Sequence, residues 1–167
     1  MSLKINSWKS SMKGQVGYFS RILLAVIMVC TITACAATGE VFVKSTPTSG
    51  NGLIYVYRPW RILGSGNAWY LSVNGVRMTT VTNGGYFPFD LKPDNVTFFA
   101  KLRPGIGTLL PALIQPEQEM ITINVEPSEV YFVKFDHKIT GPYMELVDNN
   151  TGETEIQGLK MFDAWKE

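Results

Sequence analysis

Two cysteines and a single histidine are the side chains with the widest chemical range in this 167-residue chain. His137 would have to serve as the base of any Ser-His-Asp arrangement, but Asp136 beside it alternates to the opposite face of an extended strand. The residues after it, Ile139-Thr140-Gly141-Pro142, mark a strand end, where a structural role fits better than proton transfer. Glu117, Glu119, Glu126 and Glu129 flank one strand pair in the pattern a glycosidase carboxylate pair would need. They fall in proline-containing turns and at strand ends, where acids are ordinarily solvated. Glu145, Asp148, Glu153 and Glu155 cluster around a second turn, yet their spacing does not match an EF-hand calcium loop. Gly64-Ser65-Gly66 and Gly105-Ile106-Gly107 lack the strand-to-helix context of a phosphate loop. One histidine, with neither cysteine available to the domain, cannot supply the His and Cys ligands of a zinc site. The residue types therefore point away from an enzyme, and no cofactor or metal is expected.

The cysteines belong to a different chemistry. Lys4, Lys9, Lys13 and Arg21 are the basic residues of the first 34 positions, and the first acid is Glu40. After Arg21 the run from Ile22 is apolar and shorter than the ~20 residues of a membrane-spanning helix. A basic head, an apolar run and then small residues form a secretory signal. Its end, Ile32-Thr33-Ala34-Cys35, resembles the bacterial lipobox, with Ile32 where Leu is usual. The order follows the chemistry. The Cys35 thiol takes a diacylglyceryl group at the membrane surface, and small Thr33 and Ala34 admit the peptidase that frees its amine. Cys30 lies inside the apolar run and follows Val29, so it is a poor competitor. Met12 offers a second start that leaves a shorter basic head. Ala36, where an Asp would resemble an inner-membrane retention signal, points to the outer membrane.

This gives residues 1–34 as a lipoprotein signal peptide, 35–51 as a lipidated flexible tether, and 52–167 as the folded domain. Residues 36–51 are rich in Ser, Thr, Gly and Pro, as flexible linkers are, although Val41-Phe42-Val43 could add an edge strand. With Cys35 lipidated, no thiol remains in the domain for a disulfide. From residue 35 onward 11 basic and 14 acidic side chains leave a net charge of −3, which excludes a dedicated nucleic-acid binder.

Strand signals are dense from residue 52. Leu53–Tyr57 is continuously apolar and suits a central strand buried on both faces. Trp69–Val73, Asn74-Gly75 and Val76–Thr79 read as a hairpin with a type I′ turn, pairing Val73 with Val76 and Leu71 with Met78. Asn83-Gly84-Gly85 turns into a strand whose Pro88 belongs at an edge. Val96, Phe98, Ala100 and Leu102 share one side of the next strand. Further strands follow at Ile121–Val125, Tyr131–Phe135 and Tyr143–Val147, with a turn at Asn149-Asn150-Thr151-Gly152. Gly158–Lys166, with Leu159, Phe162 and Trp165 three apart, predicts the one helix. The fold class is all-β: an antiparallel sandwich of about eight short strands with a short C-terminal helix.

Gly52–Pro59, Leu71–Gly75, Gly85-Tyr86-Phe87 and Ser128–Val133 together resemble a family of small bacterial lipoprotein domains known as domain of unknown function 2846. Its Y-V-Y-R-P strand, V-N-G hairpin, G-Y-F strand and Y-F-V strand cover about residues 52–148. The resemblance implies a lipid-anchored β-domain without an assigned activity.

Two apolar connections stand out as contact surfaces. Trp60, Ile62 and Leu63 lie among arginines just after the central strand. Leu109, Leu110, Leu113 and Ile114 fall in the long connection from Pro104 to Pro116, and loops of that length are commonly functional. Otherwise both connections fold over an open end of the sandwich and plug it. The expectation is a non-enzymatic outer-membrane lipoprotein on the periplasmic face, an interaction or structural module with an envelope protein partner. The alternative is a carrier of a small apolar ligand or lipid, with the apolar connection as its lid.

Overall fold

A computed structural model describes residue 21 and residues 36–105, 107–138 and 140–164. Cys30, Cys35, Trp165 and the signal peptide other than Arg21 lie outside the described residues. Among these residues, no helix is long and apolar enough to cross a membrane.

Among the described residues, nine strands build two sheets. They are β1 (Gly52–Arg58), β2 (Trp69–Val73), β3 (Val76–Val81), β4 (Gly85–Leu91), β5 (Asn95–Leu102), β6 (Gln118–Asn124), β7 (Val130–Lys138), β8 (Gly141–Val147) and β9 (Lys160–Met161). Helix α1 (Leu109–Ile114) lies between β5 and β6, and helix α2 (Asn149–Glu155) between β8 and β9. One sheet has the order β8-β7-β1-β4-β9 and the other β3-β2-β5-β6. The sandwich is therefore antiparallel in most pairings, but β1 runs parallel to β7 and β4 parallel to β9.

Strand β1 is buried along its whole length, because period-two alternation sends its side chains into two separate cores. Ile54 and Val56 face the space between the sheets, with Leu71, Phe89, Phe98, Val133 and Phe135. Edge-to-face packing of Phe89 on Phe98 at 5.4 Å joins the two layers. Leu53, Tyr55 and Tyr57 enter a second core on the outer face, with Phe42, Tyr86, Phe132 and Ile156. Tyr55 stacks on Phe132 at 5.3 Å, and Phe42 meets both Tyr55 and Tyr86 edge-on at 5.2 Å.

Phe42 lies in the stretch expected to be a flexible tether, and the structure corrects that expectation. Residues 36–51 run down the outer face of the five-stranded sheet, held at successive levels. The Ala37 N–H donates to the Asn83 carbonyl, Phe42 N–H to the Leu159 carbonyl, and Ser45 N–H to the Tyr55 hydroxyl. Lower still, Thr48 N–H reaches the Asp90 carboxylate. Tyr55 and Tyr86 are large aromatics on a face that sheet-on-sheet packing leaves open, so a chain segment that covers them gains more than it loses by being ordered.

The hairpin turn is type I′, with Asn74 and Gly75 at φ 48° and 82°, and Val73 faces Val76. Leu71, however, pairs with Thr79 rather than Met78, because a β-bulge shifts the register between Leu71 and Ser72. Pro88 lies where β9, pairing only with Gly85 and Tyr86, leaves the outer edge of β4 open.

A short C-terminal helix is present, but it occupies Asn149–Glu155, where the sequence suggested a turn. Asp148 caps it by accepting from the Thr151 N–H. Gly158, at φ +75°, opens the segment expected to be helical with a break, and the chain continues there as β9. Tyr57 and Lys134 both donate to the Glu155 carboxylate, at 2.7 and 2.8 Å, tying α2 to the sheet. Burial and the Glu155 contact push the Tyr57 phenol well above its ordinary range. Desolvation works against ionised Glu155, but the bonds from Lys134 and Tyr57 outweigh it and hold its carboxyl low.

Gly152 sets how closely α2 approaches: a Cβ there would lie 2.2 Å from the Phe132 ring. Alanine is ordinarily better in a helix by ~1 kcal/mol. Gly152→Ala should nevertheless destabilise the domain by about 1–3 kcal/mol through overpacking, measured by urea denaturation. A stabilised variant would show that α2 does not dock as described.

Candidate functional site

The strand pairing places four connections at one end of the sandwich. Arg58 ends β1 opposite Gly85 at the start of β4. Trp69 starts β2 opposite Val81 and Leu102, the ends of β3 and β5. The β1–β2, β3–β4, β5–β6 and β7–β8 connections therefore share this loop end. The other end carries the Asn74-Gly75 hairpin turn, residues 92–94 and residues 125–129.

Arg58 organises the β1–β2 connection. It is buried, and its guanidinium donates to the carbonyls of Asn67 and Gly64, each at 2.7 Å, while lying 5.9 Å from the Phe135 ring centroid. A buried cation is tolerable only when its donors are engaged, and here the engaged carbonyls fix the loop's shape. Asn83 is the second organiser. Its side chain accepts from the Arg61 N–H at 3.0 Å and donates to the Arg61 carbonyl at 2.9 Å. Its backbone meets Ala36 in a β-bridge and accepts from Ala37 N–H at 3.1 Å. One buried asparagine thus joins the start of the ordered chain to the Trp60 loop. Trp60 packs beside the neighbouring Gly84, within 3.2 Å of where a Cβ would stand.

The β5–β6 connection leaves the sheet beside the first, where the Arg103 N–H donates to the Ala68 carbonyl. The Thr108 hydroxyl donates to the Arg103 carbonyl, and α1 follows. The sequence predicts an irregular loop over this span. Its six-residue helix forms because Pro111, within the first turn, needs no N–H partner there. Ala112 is the buried residue of α1.

All seven expected contact residues are exposed. Trp60, Ile62 and Leu63 project from the first connection, and Leu110, Leu113 and Ile114 are 73%, 67% and 82% exposed, with Leu109 also largely so. The two connections emerge from neighbouring strand ends, and their large apolar side chains do not plug the sandwich. Large side chains turned outward around small buried anchors are the inverse of ordinary surface packing. Cys35, the remaining expected site residue, lies outside the described residues.

Asp136 is engaged by other partners, whereas the His137 imidazole has a buried Nδ1 without a hydrogen-bond partner among the described residues. The Asp136 carboxylate accepts from the backbone N–H of His137 and lies 3.6 Å from the Arg61 guanidinium. Burial, then the charge of Arg58, pushes the His137 imidazole below its usual range against the opposing pull of Asp136. Its ring sits 6.1 Å from the Trp69 ring and beside Gly64. Glu117 accepts from the Ser72 hydroxyl near the loop end, whereas Glu126 and Glu129 lie in the turn beyond the opposite end of β6, so they form no facing pair. Glu153 pairs with Lys44, and Glu155 with Lys134. Among the described residues, no group of three or more His, Cys, Asp or Glu side chains is placed to hold a metal ion.

Sequence reasoning missed Arg58 and Asn83. An arginine closing a wholly apolar strand just before a proline is a detectable signal, since such a charge must find partners in the following loop. Asn83 gave only the ordinary signature of a turn.

A family model described as "Protein of unknown function (DUF2846)" matches residues 48–149. Neither the curated proteins nor the solved structures provide a match to the chain.

Because the aliphatics of α1 are exposed, Leu110→Asp and Leu113→Asp should change stability by no more than about 0.5 kcal/mol. Ala112→Asp, at a position 1% exposed, should cost several kcal/mol by burying an unpaired charge. Thermal melts of the three variants test this. A large loss for Leu110→Asp would mean that the helix plugs the core.

Proposed function

The chain belongs to the DUF2846 family of unknown function, and we propose that it is a lipid-anchored outer-membrane lipoprotein facing the periplasm. Its β-sandwich acts as a non-enzymatic contact module of an envelope assembly, with an envelope protein as partner. The observation that carries this reading is the pre-formed, outward-facing apolar loop end, with Trp60, Ile62 and Leu63 beside Leu109, Leu110, Leu113 and Ile114. A catalytic end would be expected to display titratable groups converging on a cleft. Here the Asp136 carboxylate is engaged by the His137 backbone N–H and the Arg61 guanidinium, the His137 ring lies against Trp69, and Trp60, Ile62, Leu63 and the α1 aliphatics are exposed. A carrier with α1 as its lid receives less support, because a lid turns its large apolar side chains inward and α1 leaves them exposed.

Anchoring rests on the basic, apolar, Ile32-Thr33-Ala34-Cys35 order of the head. Each buried methylene contributes ~0.8 kcal/mol, so two or three acyl chains on one cysteine make attachment effectively permanent. In cells fed a palmitate analogue, the protein should take up label, lose it in Cys35→Ser and keep it in Cys30→Ser. The labelled protein should fractionate with the outer membrane. Label retained by Cys35→Ser would contradict the anchor.

A further inference from the structure

The loop end and the start of the ordered chain coincide. Ala36 bridges Asn83 at the β3–β4 connection, and from there residues 36–51 run the length of the sheet to start β1 at the far end. The segment that would give an anchored domain freedom to swing is therefore spent within the fold. Cys35 precedes Ala36 by one peptide unit, ~3.8 Å between successive Cα atoms. If Cys35 carries the acyl chains, no slack separates them from Asn83, and through its side chain from the Trp60 loop.

We propose that the loop end rests on the lipid leaflet, with Trp60, Ile62, Leu63 and the α1 aliphatics entering the headgroup region beside the acylated cysteine. This rests on the lipoprotein reading above and assigns the apolar end an occupant: a bilayer surface. The side-chain chemistry agrees. Tryptophan favours the membrane interface, and a short apolar element needs only shallow insertion to be stabilised there. Exposed Arg61, Arg103 and Lys138 surround the end, Arg61 beside Asp136 and Lys138 over the Tyr143 ring, in a position to meet anionic headgroups, with Glu117 an exposed acid on the same side. Asp90, Asp94, Glu126 and Glu129 are exposed at the opposite end, alongside Lys92, and that end faces away. Seated on the leaflet, this end is not the surface that meets an envelope protein, so the inference keeps the lipid anchor of the reading above and replaces its protein contact at the loop end.

The test uses the lipidated chain in vesicles of phosphatidylethanolamine and phosphatidylglycerol. An environment-sensitive fluorophore is attached in turn to Ile62→Cys, Leu110→Cys and, as a far-end control, Asn149→Cys. The labels at 62 and 110 should shift to the blue and be quenched by lipids brominated near the headgroup, while the label at 149 should do neither. Vesicle-bound protein with unquenched labels at 62 and 110 would overturn the leaflet contact and leave the anchor intact. Labels at those positions that were shielded only after an envelope protein was added would overturn it equally. Failure of the chain to float with the vesicles would instead remove the lipoprotein reading and this inference with it.

Discussion

Everything in this fold follows from one strand that must be buried on both faces. The side chains of Leu53, Ile54, Tyr55, Val56 and Tyr57 are almost wholly excluded from water. A sandwich can cover only one face of such a strand, since its partner sheet supplies one layer. The second face is covered by whatever the chain has left: residues 36–45, α2 and β9. Hydrophobic burial on that side makes the two ends of the described body structural, and the short parallel pairing of β4 with β9 is one result.

How much of this was legible depended on whether the signal was local. The apolar run of β1, the Asn-Gly turn and the alternation of Val96, Phe98, Ala100 and Leu102 are set by neighbours one or two positions away. The bulge after Leu71 is not, because it depends on how β3 is held against its partners. The composition of residues 36–51 is that of a linker, and only the burial they give the rings of Tyr55 and Tyr86 makes it worth ordering. Asn149-Asn150-Thr151-Gly152 reads as a turn by residue type. Its helix is selected by the Asp148 cap and by the close approach to Phe132 that Gly152 permits. In the loop end the apolar residues were visible and their braces were not, since Arg58 and Asn83 act on backbone groups that sequence does not reveal.

Those braces give the loop end its character. A buried guanidinium on two carbonyls and a buried amide on both backbone groups of Arg61 hold the first connection in one shape. The second is held by its own turn bonds and by Ala112. A surface ordered in advance loses little entropy when something binds it. The energy invested at this end therefore goes into presenting apolar side chains to water, which a free soluble domain has no reason to do.

The central claim is that the segment following Cys35 belongs to the fold and is no tether. Amide hydrogen exchange on the protein tests it most directly, because exchange reports the opening of individual hydrogen bonds. The amides of Ala37, Gly39, Phe42 and Ser45, which donate to Asn83, Met161, Leu159 and Tyr55, should be protected together with Met161. Exchange of those four amides at the rate of an unfolded chain, with β1 still protected, would contradict the account.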